Sequence, residues 1–427
     1  MQYLLTLACL IFAAAVRAPQ TGHRARQIFV AADGDDSGAG TMERPFRTVQ
    51  RGADAAGPGD TVTIRGGHYP EQVKLTRSGN YFGRAITIQS DAGAQVILAG
   101  VDTDGQDHLV LKGLTVKNAS FLGIAVRGSY RVKVEECRVE GCPGSGIYVD
   151  KSNDVTISKC DVADACHSGG EESVSIKRSA NVVFEDSIVH DTGHEGIDVK
   201  EGSRNVVVRR NRVCHVERQG LYADAWDADT GEIRFENNVI FDCLVGLVAC
   251  TESGGLLHDV AFVGNVVYDC RGPGMMVAKW GSARMSHRIR NVSYLNNTVV
   301  NCGGPGKNGI WGGGMLMEND QAENVIIVNN VFSGNPFAQL RVTLGLAPKR
   351  IIAHHNLIDG PGENLTHANV VAAAKFVDAT AKDFRLAPGS PGLDAGALLA
   401  EVVGTDVAGK QRVHRAKVDI GAFRSGQ

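Results

Sequence analysis

The sequence predicts an all-β solenoid: a parallel β-helix of short strands, three to each coil. Three observations predict it. A Gly followed by an alternating apolar strand recurs at Gly123, Gly146, Gly196, Gly220, Gly246, Gly274 and Gly314, with Ser173 filling the one gap. Successive starts are 23, 27, 23, 24, 26, 28 and 40 residues apart. A second strand follows each start, as in Asn153-Asp-Val-Thr-Ile and Asn205-Val-Val-Val. An Asn then opens a third, at Asn211, Asn238, Asn265, Asn297, Asn330 and Asn356. Strand side chains alternate in and out, and the same three strands of each coil can stack on the next, about 4.8 Å away. Gly and Asn suit the corners, because both tolerate the left-handed backbone of a tight turn.

The composition agrees. Glycine is 52 of 427 residues, about one in eight, with 12 Pro and 43% hydrophobic residues. That apolar content excludes disorder, and the absence of a Gly-X-Y period excludes collagen. Lys+Arg (44) and Asp+Glu (47) nearly cancel, which excludes a strongly basic nucleic-acid binder. Length alone suggests two or three domains. A solenoid instead grows by adding coils, so a single domain of about ten coils is expected over residues 27–425.

The elements follow in order. Leu4 to Val16 is an uncharged apolar run, too short for a bilayer, which needs about 20 residues. It reads as the core of a secretion signal over residues 1–18, with Val16-Arg17-Ala18 before the cleavage point. No later run is apolar enough to span a membrane. The protein is expected to be secreted, soluble and monomeric. Pro45 to Ala56 reads as a short amphipathic helix with Phe46, Val49 and Ala53 on one face. Such a helix covers the open end of a solenoid, whose strand edges are otherwise unpaired. Through the coils, Asn211, Asn238, Asn265, Asn297 and Asn330 are expected to stack as an amide ladder with a structural role. A C-terminal segment runs from about 376 to 425.

The ten cysteines fit the same frame. Without Cys9 nine remain, and an odd number opposes a fully paired disulfide framework. No CxxC pair occurs, so zinc-ribbon spacing is absent. Cys142, Cys243, Cys270 and Cys302 each fall three residues after an apolar residue of a third strand, Val139, Ile240, Val267 and Val299. Stacked buried thiols are expected, with one or two disulfides as the alternative.

Strand parity separates the core from the functional face. Residues one and three after each Gly are apolar and point inward. Those two, four and six after it point outward and form columns. The column at plus two contains Tyr148, Ser175, Asp198 and Tyr222. At plus four it contains Asp150, Lys177, Lys200 and Asp224. At plus six it reads Ser129, Ser152, Ser179, Gly202, Trp226, Glu252 and Trp280. Aromatic rings beside carboxylates suit a sugar polymer, because apolar sugar faces stack on rings while acids and lysines do the chemistry. Tyr148, Lys177, His194, Tyr222, Trp226 and Trp280 are therefore candidate substrate contacts. His215 reads as a corner residue.

Two further stretches carry a family resemblance. One is Ile28-Phe-Val-Ala-Ala-Asp-Gly-Asp-Asp-Ser-Gly, with Pro58-Gly-Asp-Thr-Val-Thr-Ile downstream. The other is Asp383-Phe-Arg-Leu-Ala-Pro-Gly-Ser-Pro-Gly, with Asp419-Ile-Gly-Ala-Phe after it. With the repeat between them, the chain resembles the pectate-lyase-like, right-handed parallel β-helix superfamily of secreted proteins. The segment Gly193-His-Glu-Gly-Ile-Asp-Val-Lys is similar to the catalytic coil of β-helix polysaccharide lyases. There an acid binds Ca²⁺ and a Lys five residues later removes a proton. The resemblance implies Lys200 as base, with Glu195, Asp198 and Asp224 as Ca²⁺ ligands. The substrate it implies is an acidic, uronate-containing polysaccharide, cleaved by β-elimination. A bound cation stabilises the carbanion-like intermediate, and the Lys must have a lowered pKa to act as base. The position one coil later, where such lyases often carry an Arg, reads Tyr222-Ala-Asp-Ala-Trp-Asp. A rival reading is a glycoside hydrolase using Asp224 and Glu252, which fall on neighbouring coils. Their side chains span the separations of both retaining and inverting enzymes. A third reading is a non-catalytic glycan-binding or adhesin solenoid.

Overall fold

The structure is a computed structural model that describes residues 24–306, 309–342, 351–362, 368–402 and 404–425. The signal segment and Cys9 lie outside the described residues. Among those residues, no helix is long and apolar enough to cross a membrane.

The chain winds through about eleven turns, one more than the repeat suggested. The second strands of successive coils form one sheet of 13 strands, running from Gln27–Val30 to Ile351–His354. Its pairs are parallel and in register, as in Val155↔Val182 and Val182↔Val206. The Gly-led strands pair with Gly-led strands, and the third strands with third strands. These two ladders merge where one strand covers both, at Arg212–Asp224 and Val239–Cys250. The inward residues form one continuous apolar core. Phe235, Phe262 and Tyr294 stack through it at 4.8–4.9 Å, with nearly parallel rings.

The helix covers Val49–Ala55, shorter than the expected 45–56. Phe46 explains the difference. Its backbone pairs with Phe29 and Ala31 in an extended bridge, so winding begins only after the cap residue Thr48. Glu71 accepts hydrogen bonds from the Val49 and Gln50 amides at 2.7 and 3.0 Å. Val49 and Ala53 are buried against the first strands.

The Asn ladder is present and longer than expected. Each Nδ2 donates to the Oδ1 of the Asn one coil on, at 2.9–3.0 Å, from Asn211 through Asn238, Asn265, Asn297, Asn330 and Asn356 to Asn369. The left-handed residue, however, is the one before each ladder Asn. Arg210, Asn237, Gly264, Asn296, Asn329 and His355 all have φ between 52 and 67°. The nine cysteines from Cys137 to Cys302 are buried and unpaired. Burial, with Cys270 adjacent, pushes the Cys243 and Cys302 thiols up. The C-terminal segment folds back along the outside of the coils. Phe384 and Ala422 pack on Val266 and Tyr268, and Val402 on Val263 and Leu295.

Candidate functional site

The Gly-led ladder builds the site. Ile197 and Val199 point inward and are fully buried. Gly196 allows the close stacking this requires, since a Cβ there would lie 2.6 Å from the Gly220 carbonyl oxygen. The other parity places Ser175, Asp198 and Tyr222 in one column, and Lys177, Lys200 and Asp224 in the next. These columns match the sequence reading, but the face is not open. Asp198, Tyr222 and Asp224 are only 2–3% exposed. Charged side chains of the strands, with two acids from the adjoining turn, surround them and line a cavity of about 410 Å³.

The plus-six column divides. Its first half turns away into a buried corner, where Ser129, Ser152 and Ser179 each bond the next coil. Ser203, not Gly202, completes that stack. Only the second half reaches the site: Trp226 and Glu252 line the cavity. Trp280 instead packs edge-on to Tyr222 at 5.9 Å. Tyr148 is buried under the Lys177 ammonium, 5.1 Å from its ring centroid. Tyr148, covered by Lys177, offers no sugar platform. Trp226, 43% exposed, does.

Most of the other predicted residues converge on the cavity: Lys177, His194, Glu195, Asp198, Lys200, Tyr222 and Asp224. Four more were not anticipated: Glu171, Glu172, Glu201 and Arg218. Arg218 lies within a register shift between Val216 and Gln219, so counting from Gly220 misses it. Glu171 and Glu172 sit in the turn before Ser173. The 27-residue spacing there, against 23 on either side, is the signal of their extra loop.

Electrostatics set the roles. Lys200 Nζ contacts Glu172 Oε1 and lies 3.9 Å from both Asp198 and Glu201. Burial opposes its charge, but Asp198 and Glu172 outweigh burial and raise its pKa. That is the reverse of what a general base needs, so in this arrangement Lys200 is an ammonium. Glu195 does not reach it. His194 Nδ1 and Arg218 Nε each lie 3.2 Å from the Glu195 carboxylate. Against burial, they hold it below the usual range. Asp198 is the opposite case: burial, then Glu172, push its pKa well up. Its Oδ1 has no hydrogen-bond partner. Asp224 accepts one bond from the Trp226 amide at 2.8 Å. Burial outweighs that bond and, with Glu252 nearby, brings its carboxyl to about 8. The Tyr222 hydroxyl donates to Glu252 Oε1 at 2.6 Å.

As they stand, the side chains of the cavity do not form a Ca²⁺ site. Asp198, Glu172 and Glu195 are hard oxygen donors of the right kind. Yet among the described residues no three His, Cys, Asp or Glu side chains converge to hold a metal ion. The Lys200 ammonium stands among the acids, and Glu195 is turned to Arg218. At the adjoining corner a second cavity, of about 420 Å³, is lined by Asp164, His167, Asp191 and His215 among others. His215 pairs there with Asp191 at 3.1 Å, as a corner residue.

Comparison with known proteins bears on the fold. A family model described as "Right handed beta helix region" matches residues 75–240 and 122–289, together half of the chain. The uncharacterized protein YwoF of Bacillus subtilis (strain 168) is 25% identical over 384 residues, covering 73% of this chain and 77% of YwoF. The solved structure of pectate lyase Pel9A superposes with a TM-score of 0.57 at 14% identity, covering 94% of this chain and 96% of the other. XylC in complex with xylose gives 0.63 at 12%, covering 93% and 98%.

Proposed function

The chain belongs to the right-handed β-helix family, and on that footing we propose that it is a secreted enzyme that cleaves an acidic polysaccharide in the Lys200–Asp224 cavity. One observation carries the reading: two carboxylates on adjacent coils meet in one cavity, with unlike surroundings. Hydrolysing a glycosidic bond with two carboxyl groups needs one to give the leaving oxygen a proton and the other to activate water or attack the sugar. Asp224, buried and brought to about 8, still holds its proton at neutral pH. It is the donor. Glu252, held by the Tyr222 hydroxyl, is the partner that takes a proton from water or attacks the sugar carbon directly. Asp224 pairs in register with Cys250, and Glu252 lies two residues beyond. One strand spacing and two rises give about 8 Å between the Cα atoms. Lys177, Lys200 and Arg218 supply positive charge for substrate carboxylates, and Trp226 a ring for a sugar face.

β-Elimination with Lys200 as base is the second reading. The five-residue spacing of Glu195 and Lys200 and the hard acids around the ammonium favour it. It requires those acids to release Lys200, and added Ca²⁺ is the agent to try. The assay uses polygalacturonate, alginate and glycosaminoglycans. Reducing ends without unsaturated-uronate absorbance, lost in Asp224→Asn and Glu252→Gln, support hydrolysis. Absorbance that needs Ca²⁺, and that chelator and Lys200→Ala abolish, overturns hydrolysis in favour of elimination. Neither product on any glycan leaves a binding solenoid.

A further inference from the structure

The turn over the cavity carries its own charge pattern. Lys177 and Lys200 are register partners on adjacent coils, so the two lysines stand about 4.8 Å apart along the solenoid. Consecutive residues of one loop meet them. Glu171 reaches Lys177 with both oxygens, at 3.3 and 3.4 Å. Glu172 reaches Lys200. Glu172 is also held by the Ser175 hydroxyl at 2.6 Å. The loop enters through Gly169 and Gly170, both at positive φ (75 and 97°). A Cβ on Gly170 would meet nothing within 4 Å. A Cβ on Gly169 would meet the His194 ring at 3.5 Å; the Ser168 hydroxyl ties the near end to the Pro143 carbonyl at 2.7 Å, and the two carboxylates anchor the far end.

Lys177 does not depend on Glu171 for its direction. The Tyr148 ring beneath it fixes the ammonium by a cation–π contact. If Glu171 leaves, Lys177 still faces the cavity. Two fixed ammonium groups one coil apart, both capped by carboxylates of a Gly-hinged loop, form a site matched to two carboxylates.

We infer that the Lys177–Lys200 pair is a twin subsite for carboxylates on a substrate chain, and that Glu171 and Glu172 stand in for those carboxylates until the substrate displaces them. The inference rests on the acidic-polysaccharide reading of the same cavity. It assigns Lys177 to specificity and the loop 167–172 to self-occupation. A self-occupied site weakens apparent affinity by the fraction of molecules in which it is open.

The test has two readouts on the full chain. The first needs no substrate: amide hydrogen exchange of the loop in Glu171→Gln/Glu172→Gln against the parent. Without its two ion pairs the loop should exchange about five-fold faster, the equivalent of two modest pairs lost. Unchanged exchange overturns the clip by itself. The second is binding of polygalacturonate, alginate and uncharged dextran at low salt. Glu171→Gln should bind a carboxylated polymer about three-fold tighter. Lys177→Gln should bind it more weakly, with dextran unmoved. Equal or weaker binding by Glu171→Gln overturns the stand-in role. Faster loop exchange with no polymer bound by any form overturns the enzyme reading instead, and the twin subsite with it.

Discussion

Two stacks of polar side chains run along this solenoid, and they are built on opposite principles. In the Asn ladder each amide is satisfied. Asn265 donates to Asn297 Oδ1 and to the Phe235 carbonyl, and accepts from Asn238. In the charged ladder the bonding is incomplete. Asp198 Oδ1 has no partner, Asp224 has one backbone donor, and Lys200 is shared among several acids. Both stacks are buried. Burying a satisfied amide costs little, whereas burying an unsatisfied carboxyl is costly unless it keeps its proton. The first ladder therefore reads as structure and the second as chemistry.

The largest expected effect tests that division. Asp224→Asn removes a proton donor but keeps shape and burial. Initial cleavage rates on the best carboxylated polymer should fall about 10³-fold or more, at the upper end of what a general acid contributes. Parent activity should also decline as pH rises through about 8, where Asp224 loses its proton. Stability follows the same group. The unfolded carboxyl ionises near 4 while the folded one does not. The folded state thus binds more protons between those values, and stability falls as pH rises across that window. Asp224→Asn should flatten the slope in melting temperature against pH. An Asn variant with parent-like cleavage would move Asp224 into the structural class.

The second effect is on folding. Asn265→Ala removes one ladder amide and strands the groups above and below it. Each buried orphan costs about 1–3 kcal/mol, so the variant should lose about 2–4 kcal/mol in urea unfolding. Cleavage per folded molecule should be unchanged. A loss confined to activity would merge the two ladders into one functional system.

How much of this was legible before the structure depended on period. The Asn ladder, the thiol corner and the columns through Asp198 and Lys200 all repeat with the coil, so counting from each Gly finds them. Arg218 lies within a register shift, and Glu171 and Glu172 lie in an insertion, so counting does not. Tyr148 was placed in the right column but not at the right depth. Parity gives the side of a strand; it does not say what lies on top. The same limit applies to the turns. Asn was expected to adopt the left-handed conformation, whereas the residue before each ladder Asn adopts it. Composition cannot separate a residue that bends the chain from its neighbour that bonds across the bend.

A third test works inside the charged ladder. Tyr222→Phe keeps the ring against Trp280 and removes only the hydroxyl on Glu252. Cleavage should fall about ten-fold, the worth of one hydrogen bond to a charged group. The loss should fall on kcat with KM nearly unchanged, because Tyr222 acts through Glu252. A loss confined to KM would mean that Tyr222 only packs.

The smallest expected effect returns to asparagine, now in water. Asn181 and Asn205 also form a stack, with Asn205 Nδ2 donating to Asn181 and Asn181 Nδ2 to Asn153, at 2.6 and 2.9 Å. This stack is exposed, and its members themselves hold the left-handed backbone, at φ 55 and 51°. Water replaces the lost amide bonds, so Asn181→Gly, which keeps φ at no steric cost, should change stability by less than about 0.5 kcal/mol. Asn181→Ala keeps neither the bonds nor the easy left-handed turn and should cost about 1–2 kcal/mol. If Gly and Ala cost the same, the exposed amides themselves matter, and exposure does not separate this stack from the buried one. If Gly is neutral while Asn265→Ala is severe, the ladder's contribution comes from burial of the amide and not from the asparagine pattern.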